Sequence, residues 1–290
     1  MINLELSWQE AAVSTGCLAV LSAALLRASR VGAAASPADS RQTLQRRLAR
    51  AGSVAKEAAL VLGLFALWQL AGSFSVLGPG GALGRARWLW QAERVLHLPS
   101  EASLQQVFLP HPLLVQVMDL YYDGLHFPVL IGCMTWLFAW HRDRYPAFRT
   151  TLVAFTGSCL LIQLIPVAPP RMLPGIHMTD TAVQYGQSVY ATQAGFNPDQ
   201  LSAMPSVHVG WAILVAIAVI TTVRTPWRWL AVLYPVLTTL VVVVTANHFW
   251  LDGVVAAAVL AAVLAVQAAI RRLRSQAPAA TPVPESVTVA

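Results

Sequence analysis

The stretch LDGVVAAAVLAAVLAVQAAI (251–270) decides the fold class, because Asp252 is its only charged residue. A run of about 18 or more apolar residues is long enough to cross the hydrocarbon core of a bilayer as a helix. The rest of the chain has the same character, since 57% of its 290 residues are hydrophobic and 11% are charged. Soluble domains carry roughly 25% charged residues. The sequence therefore predicts an all-α, polytopic transmembrane bundle.

Seven apolar segments are predicted to span the membrane, six in the core of the bundle and a weaker seventh at the N-terminus. They are 9–27, 57–77, 113–140, 148–167, 205–223, 228–246 and 249–270. We predict three parts: an N-terminal span with a basic cytoplasmic linker (1–56), a catalytic membrane domain (57–274) and a tail (275–290). The Pro/Ala-rich composition of the tail predicts disorder. The first segment is short and rich in Ala and Ser, so whether it spans is left open.

Basic residues divide unequally between the two sides that alternating spans define. On the side of the C-terminus lie Arg27, Arg30, Arg41, Arg46, Arg47, Arg50, Lys56, Arg142, Arg144, Arg149, Arg224, Arg228, Arg271, Arg272 and Arg274, and on the other side Arg85, Arg87, Arg94 and Arg171. Because cytoplasmic loops carry an excess of Lys and Arg, the C-terminus is predicted to be cytoplasmic. The long loops 78–112 and 168–204 are then extracytoplasmic, in a multi-pass protein of the cell membrane. Within the first loop, GRARWLWQAERVLHL (84–98) has the pattern of an amphipathic helix on the membrane surface.

The net charge of +6 does not indicate nucleic-acid binding, because the basic residues cluster between the apolar segments. Cys17, Cys133 and Cys159 show neither paired nor metal-binding spacing. We predict no metal and no cofactor. The expected partners are the lipid bilayer and a membrane lipid phosphate as substrate, and the sequence does not determine the oligomeric state.

Three short stretches place polar groups at the predicted outer ends of apolar helices. They are PVAPPRMLPG (166–175), AMPSVHVGWA (203–212) and TANHFWLDGV (245–254). The topology puts all three on one side of the membrane, so we expect them to meet. Ionisable residues at such positions are costly and commonly mark functional sites.

The third stretch contains a histidine and a carboxylate at helical spacing. His248 and Asp252 are four residues apart, so on a helix they share a face and can touch. A carboxylate bonded to one imidazole nitrogen leaves the other nitrogen available as a nucleophile or base. The alternative is that the two residues merely pair so that a polar helix start is tolerated in the membrane.

The other two stretches are suited to binding an anion. Ser206 and His208 follow a proline at a predicted helix N-terminus, where backbone N–H groups attract anions. Arg171 offers planar, bidentate donors that match phosphate oxygens. The alternatives are an ordinary Ser/Pro helix start and an arginine that reaches toward lipid headgroups.

Together these groups predict phosphoryl transfer. An anion site formed by Arg171, Ser206 and two helix N-termini would hold a phosphate that His248 attacks, giving a phosphohistidine. His208 could protonate the departing oxygen. Near the start of the third predicted span, further polar residues could bind a headgroup or acceptor, brace the histidines, or simply form a polar helix end. These residues are Asp119, Tyr122, Asp123 and His126.

The order Pro-Pro-Arg, Pro-Ser-x-His, His-x-x-x-Asp resembles the type 2 phosphatidic acid phosphatase superfamily. AMPSVH and NHFWLD, with AERVLHLPSEASLQ (92–105) and DLYYDGLHFP (119–128), are similar to its branch of inositol phosphorylceramide synthases and related inositol phosphotransferases. The resemblance covers roughly 85–265. It implies that Arg171 binds phosphate, His208 acts as acid, His248 is the nucleophile and Asp252 supports it.

The chain departs from the superfamily pattern at two cationic positions and one glycine. Leu164 stands where the first motif has a lysine, Val241 and Val242 where the third often has Ser-Arg, and Val207 where a glycine is usual. The missing cations argue against a simple phosphatase and fit the transferase-like branch. The rival functions are a lipid transporter or flippase without catalysis and an inactive scaffold. Neither the lipid nor the acceptor, water or an alcohol, can be read from the sequence.

Overall fold

The computed structural model describes residues 8–30, 38–72, 81–187 and 198–276. Within these ranges the protein is helical and has no β-strand, which confirms the all-α part of the predicted fold class. The α-helices are α1 (Trp8–Arg30), α2 (Ala38–Gly72), α3 (Ala82–Val95), α4 (Glu101–Phe108), α5 (Pro112–Gly124), α6 (His126–Trp140), α7 (Tyr145–Gln163), α8 (Thr181–Gln184), α9 (Val207–Thr222), α10 (Leu233–Val244) and α11 (Trp250–Gln276). Short 3-10 turns at Pro170–Met172, Pro198–Leu201 and Pro226–Val232 link some of them.

Among the residues that the structure describes, three helical segments are long and apolar enough to cross a membrane, so the predicted count of seven spans is not confirmed. They are Gln9–Arg30, Pro226–Val244 and Trp250–Gln276, and two shorter apolar helices are His126–Trp140 and Val207–Thr222. The shorter two span only about 22–24 Å. The predicted span 113–140 is divided between α5 and α6, and the predicted span 205–223 extends slightly beyond α9 at both ends.

Two predicted boundaries differ from the observed helices. Residues 38–72, which include the end of the predicted linker and most of the span after it, form one continuous helix, α2, which packs along α1. Ser22 Oγ of α1 donates a hydrogen bond of 2.8 Å to the carbonyl of Gly52 in this helix. At the other end, α11 continues to Gln276, and the predicted disordered tail beyond it lies outside the described residues.

The main apolar core lies between α6, α7, α9 and α11. Leu137, Phe155, Leu214 and Leu260 are buried there. The ring of Phe155 lies directly against the backbone of Gly210 in α9, where there is no room for a Cβ atom. This contact holds α9, which begins at the candidate site, close to α7.

Two breaks in the helices lie near the candidate site. Between α5 and α6, Pro128 lacks the N–H that would bond one turn back, so the predicted third span is divided at Leu125. Between α10 and α11, Ala246 has a left-handed φ of 57°. The N–H groups of Asn247 and His248 both donate to the carbonyl of Val242 at 3.0 Å. The chain therefore turns sharply and presents its polar residues at the end of the bundle.

The amphipathic segment of α3 and α4 covers these loops. Ala86 and Leu89 of α3 form a second apolar cluster with the loop after α7 and with Phe249. Gln105 of α4 donates 2.9 Å and 2.8 Å hydrogen bonds to the carbonyls of Thr179 and Val244. Trp88 on the opposite face is 66% exposed, so only one side of α3 is available to a membrane surface.

Candidate active site

The three polar stretches of the sequence meet and are joined by hydrogen bonds. The Arg171 N–H donates to the Ala246 carbonyl at 3.1 Å, which connects the first stretch to the third. The Ser206 N–H donates to the Asp252 carbonyl at 3.1 Å, which connects the second to the third. The Ala203 N–H donates to the Val167 carbonyl at 3.2 Å, which connects the second stretch to the first. The structure therefore brings together the groups that the sequence analysis singled out.

His248 lies in the break before α11 and is 4% exposed. Its Nδ1 is 2.7 Å from the carbonyl oxygen of Ala203 and 3.3 Å from Asp252 Oδ2. A carbonyl oxygen can only accept, so Nδ1 carries the hydrogen and donates it. Nε2 then presents a lone pair, and it has no hydrogen-bond partner among the described residues. A buried imidazole in this tautomer is arranged as a nucleophile or base.

Asp252 holds the turn that presents His248. The predicted contact between the two residues is present, but His248 precedes the helix, which begins at Trp250. Asp252 Oδ2 accepts the Phe249 N–H at 2.8 Å as well as facing His248. The carboxylate therefore caps the turn, and the closest partner of Nδ1 is the Ala203 carbonyl rather than Asp252.

His208 lies in the first turn of α9, and its ring lies near the ring of His248. Its ring centroid is 6.0 Å from that of His248, 4.7 Å from Tyr122 and 4.7 Å from His126. Within the described part of the chain, its Nδ1 is buried and has no hydrogen-bond partner. Two histidine rings at this separation can act on opposite sides of one phosphoryl group.

Ser206 is fully buried and caps α9, where its Oγ accepts the Val209 N–H at 3.4 Å. The predicted anion site at this helix N-terminus is thus lined by a hydroxyl. Gln163 at the end of α7 donates to the carbonyl of Pro205 at 3.1 Å, which anchors the start of α9. Gln163 directly precedes Leu164, the position at which the superfamily pattern has a lysine.

Arg171 is held by two side chains. Its Nη1 donates to Asn247 Oδ1, and its Nε lies 3.3 Å from Asp180 Oδ2. The side chain is 7% exposed, so the guanidinium is buried at the junction rather than extended toward headgroups. Asn247 was not singled out from the sequence, although it immediately precedes His248.

The second predicted anion-binding helix end is already occupied. The Phe249 N–H donates to Asp252, and the Leu251 N–H donates to Glu93 Oε1 at 2.8 Å. Two carboxylates therefore take two of the N–H groups around the start of α11, which leaves fewer donors for an anion there than the sequence analysis expected. Burial, followed by a hydrogen bond with Glu101, raises the pKa of Glu93 to about 9.

The four tentative headgroup residues separate into two groups. Asp119 is buried and its Oδ1 accepts the Thr181 hydroxyl at 2.8 Å. Asp123 interacts electrostatically with Asp119 and with Arg171.

Tyr122 and His126 instead line the histidine side of the site, as their ring distances to His208 show. His126 Nδ1 lies 3.1 Å from the hydroxyl of Tyr234 and its ring lies edge-on to Tyr121. These two neighbours have no signal in the local sequence around His126.

No cluster of three or more His, Cys, Asp or Glu side chains suited to a metal ion occurs in residues 8–30, 38–72, 81–187 and 198–276. The available groups are imidazoles, an arginine and a capped helix end, which suit an anion.

A family model for the PAP2 superfamily matches residues 87–266, a range that contains all three polar stretches. The chain belongs to the PAP2 superfamily. No curated protein and no solved structure matches it. Membership of the PAP2 superfamily indicates an enzyme with a phosphatase-type function related to lipids, which agrees with the superfamily-level resemblance of the sequence motifs.

Proposed function

We propose that this protein is an integral-membrane lipid phosphotransferase or lipid phosphate phosphatase that acts through a phosphohistidine on His248. The observation that carries the proposal is the hydrogen bond from His248 Nδ1 to the Ala203 carbonyl. It leaves the buried Nε2 as a lone-pair donor beside His208. Membership of the PAP2 superfamily supports the same chemistry.

The reaction has two steps. His248 Nε2 attacks phosphorus, and an N–P bond forms as the bond from phosphorus to the lipid oxygen breaks, while His208 gives a proton to the departing oxygen. An acceptor oxygen then attacks the same phosphorus, the N–P bond breaks, and His208 takes the acceptor's proton. Arg171, with Ser206 and the first turn of α9, balances the negative charge on the phosphoryl oxygens.

The polar headgroup that stays bonded to phosphorus is proposed to bind on the side of α5 and α6. His126 Nε2 and Asp119 Oδ2 are buried atoms with no hydrogen-bond partner among the described residues. Buried polar atoms are normally paired, so these two are suited to the hydroxyl groups of a polar alcohol.

We therefore favour transfer of an inositol phosphate type headgroup, in line with the branch that the motifs resemble. Water as the acceptor would make the protein a phosphatase. The division of Lys and Arg between the loops supports an extracytoplasmic site and a cytoplasmic C-terminus.

The experiment compares two histidine variants on two substrates. His248→Ala removes the nucleophile, so it should form no phosphoenzyme and be inactive on every substrate. His208→Ala should lose roughly 10²–10⁴-fold on lipid phosphates, because a poor leaving group needs a proton. A nitrophenyl phosphate ester, which the wild type must accept, needs little protonation and should partly rescue His208→Ala alone.

The control is His111→Ala, which removes an exposed histidine at the start of α5. It should behave as wild type on both substrates. Labelled phosphoenzyme is measured after an alkaline quench, because the N–P bond is labile in acid. Phosphohistidine in His248→Ala, or equal rescue of both variants, would contradict the assigned roles. Bound lipid phosphate with no turnover in the wild type would favour a transporter.

A further inference from the structure

A buried glutamate of α3 is bonded to the turn that carries the candidate catalytic pair. Glu93 has no exposed surface, and its Oε1 accepts the Leu251 N–H at 2.8 Å. Leu251 directly precedes Asp252, which caps the His248 turn. The carboxyl of Glu93 therefore holds the first turn of α11 from outside the three motif stretches.

A second buried carboxyl faces Glu93 from α4. Glu101 is 1% exposed and accepts hydrogen bonds of 3.1 Å and 3.3 Å from Arg94 Nη2. The same Nη2 is 4.0 Å from Glu93 Oε2, which has no hydrogen-bond donor among the described residues. One arginine thus serves two buried carboxyl groups, and a third, Asp252, acts on Glu93 from α11.

Three carboxylates and one guanidinium would leave uncompensated negative charge in a buried place, which is costly. A single proton between Glu93 and Glu101 lowers the net charge of this group from −2 to −1 and gives Glu93 Oε2 a hydrogen to donate to Glu101. The raised pKa of Glu93, about 9, follows from its burial and from the hydrogen bond with Glu101. The proton is therefore present at neutral pH.

We propose that Glu93 is a positioning residue for the reaction, whose protonated carboxyl bonds Glu101 on one side and the Leu251 N–H on the other. Through this link it fixes Asp252, and hence His248. The proposal rests on the proposed function only in so far as it takes His248 and Asp252 as the catalytic pair. The carboxyl pair itself is independent of that assignment.

The stability that the Glu93–Glu101 pair gives to the folded protein depends on pH. The ordinary pKa of a glutamate carboxyl is 4.5, and the pKa of Glu93 in the folded protein is about 9. Between these two values the folded state holds a proton that the unfolded state has lost, so stability falls as pH rises through this window. Near pH 9 the proton leaves, Glu93 repels Glu101 and Asp252, and the turn loosens.

The test uses two substitutions of the full-length protein in detergent. Glu93→Gln keeps an oxygen acceptor for Leu251 and gives Glu101 an N–H donor that does not titrate. Glu93→Ala removes both bonds. The matched control is Glu57→Gln, which weakens a half-buried carboxylate contact with Arg149 at the far end of α7. Thermal midpoints between about pH 7 and 10 are measured together with kcat and KM for a lipid phosphate.

We expect Glu93→Ala to lower kcat by roughly 10- to 100-fold with little change in KM, because the reacting groups are misplaced and not removed. Glu93→Gln should recover most of that kcat at neutral pH and should flatten the alkaline fall in midpoint. Glu57→Gln should lower the midpoint at every pH and keep the alkaline fall. If Glu93→Ala does not fold, the dependence of the thermal midpoint on pH in Glu93→Gln tests the proposal by itself.

Three results would overturn the proposal. They are a wild-type kcat for Glu93→Ala, a Glu93→Gln protein as impaired at neutral pH as Glu93→Ala, and an alkaline fall that Glu93→Gln leaves unchanged. A failure of the proposed function can be distinguished from these three results, because the wild type would then form no phosphoenzyme. The thermal profiles need no turnover and would still test the proton shared by Glu93 and Glu101.

Discussion

Replacing Gly210 with alanine should push α9 away from α7 and displace His208, which lies two residues earlier. A Cβ atom at this position would lie 1.9 Å from Cζ of Phe155, 2.5 Å from Cε1 and 2.8 Å from Cε2. Carbon atoms in contact are about 3.5–4.0 Å apart, so the ring and the helix must separate by roughly 1.5–2 Å. Phe155 is fully buried, so its ring is enclosed by other parts of the protein.

The size of the effect follows from this clash. Overpacking costs about 1–3 kcal/mol, and so short a contact places Gly210→Ala near the upper end. The higher helix propensity of alanine offsets about 1 kcal/mol. A net loss of about 2 kcal/mol lowers the thermal midpoint by roughly 4–8 °C in a protein of this size. Because a shift of about 1 Å in a catalytic group can cost roughly 10²-fold in rate, kcat should fall by about 10- to 100-fold.

The assay is thermal unfolding in detergent, followed by tryptophan fluorescence, with turnover measured well below the midpoint. Gly157→Ala is the matched control, because its Cβ on α7 would meet nothing within 4 Å and its midpoint should not fall. Phe155→Leu removes the clashing ring atoms. The double variant with Gly210→Ala should therefore be more stable than the sum of the single effects by about 1–3 kcal/mol.

Two outcomes would refute this reasoning. One is a Gly210→Ala protein that unfolds at or above the wild-type midpoint with normal kcat. The other is strict additivity of Gly210→Ala and Phe155→Leu, because the predicted loss comes from the contact between these two residues.

Three further predictions concern the site and its orientation. Asn247→Ala should remove one of the contacts that orient the Arg171 guanidinium and raise KM for a lipid phosphate several-fold while phosphoenzyme still forms. An unchanged KM would contradict this role. Activity should persist in the presence of a chelator, because the proposed chemistry uses an imidazole and an arginine. A complete loss of activity that added magnesium restores would contradict this expectation. Cysteines introduced in loops 78–112 and 168–204, in a Cys17→Ser background, should react with an impermeant reagent on intact cells. Labelling confined to loop 141–149 would reverse the proposed orientation.

The helical fold could be predicted because hydrophobicity is a local property that adds along the chain. The segment 249–270 lies almost wholly within α11, and 205–223 matches α9 to within two residues. The helix ends were less predictable. Pro128 and Gly124 signal a break in the third predicted span, whereas the left-handed turn at Ala246 involves a residue that seldom adopts this conformation.

The residue types of the site were also visible in the sequence, because histidine, arginine and aspartate are rare in apolar segments. Their partners were not. The Ala203 carbonyl that sets the His248 tautomer belongs to the backbone, so no residue type in the sequence indicates this contact. Glu93 was part of a pattern typical of a surface helix, and its burial depends on α4 and α11, which pack over it.

The sequence by itself determined that the chain is a helical membrane protein and that its polar motifs stand at helix ends, since both follow from local composition and spacing. Only the tertiary structure decided which groups accept the N–H donors at each of these helix starts. The two candidate N-termini look alike in sequence, yet Asp252 and Glu93 already accept the N–H groups at the start of α11, while Ser206 caps α9 beside His208. A hydrogen bond joins atoms that are close in space, and helix packing brings Glu93 and Leu251 together although they are 158 positions apart in the chain.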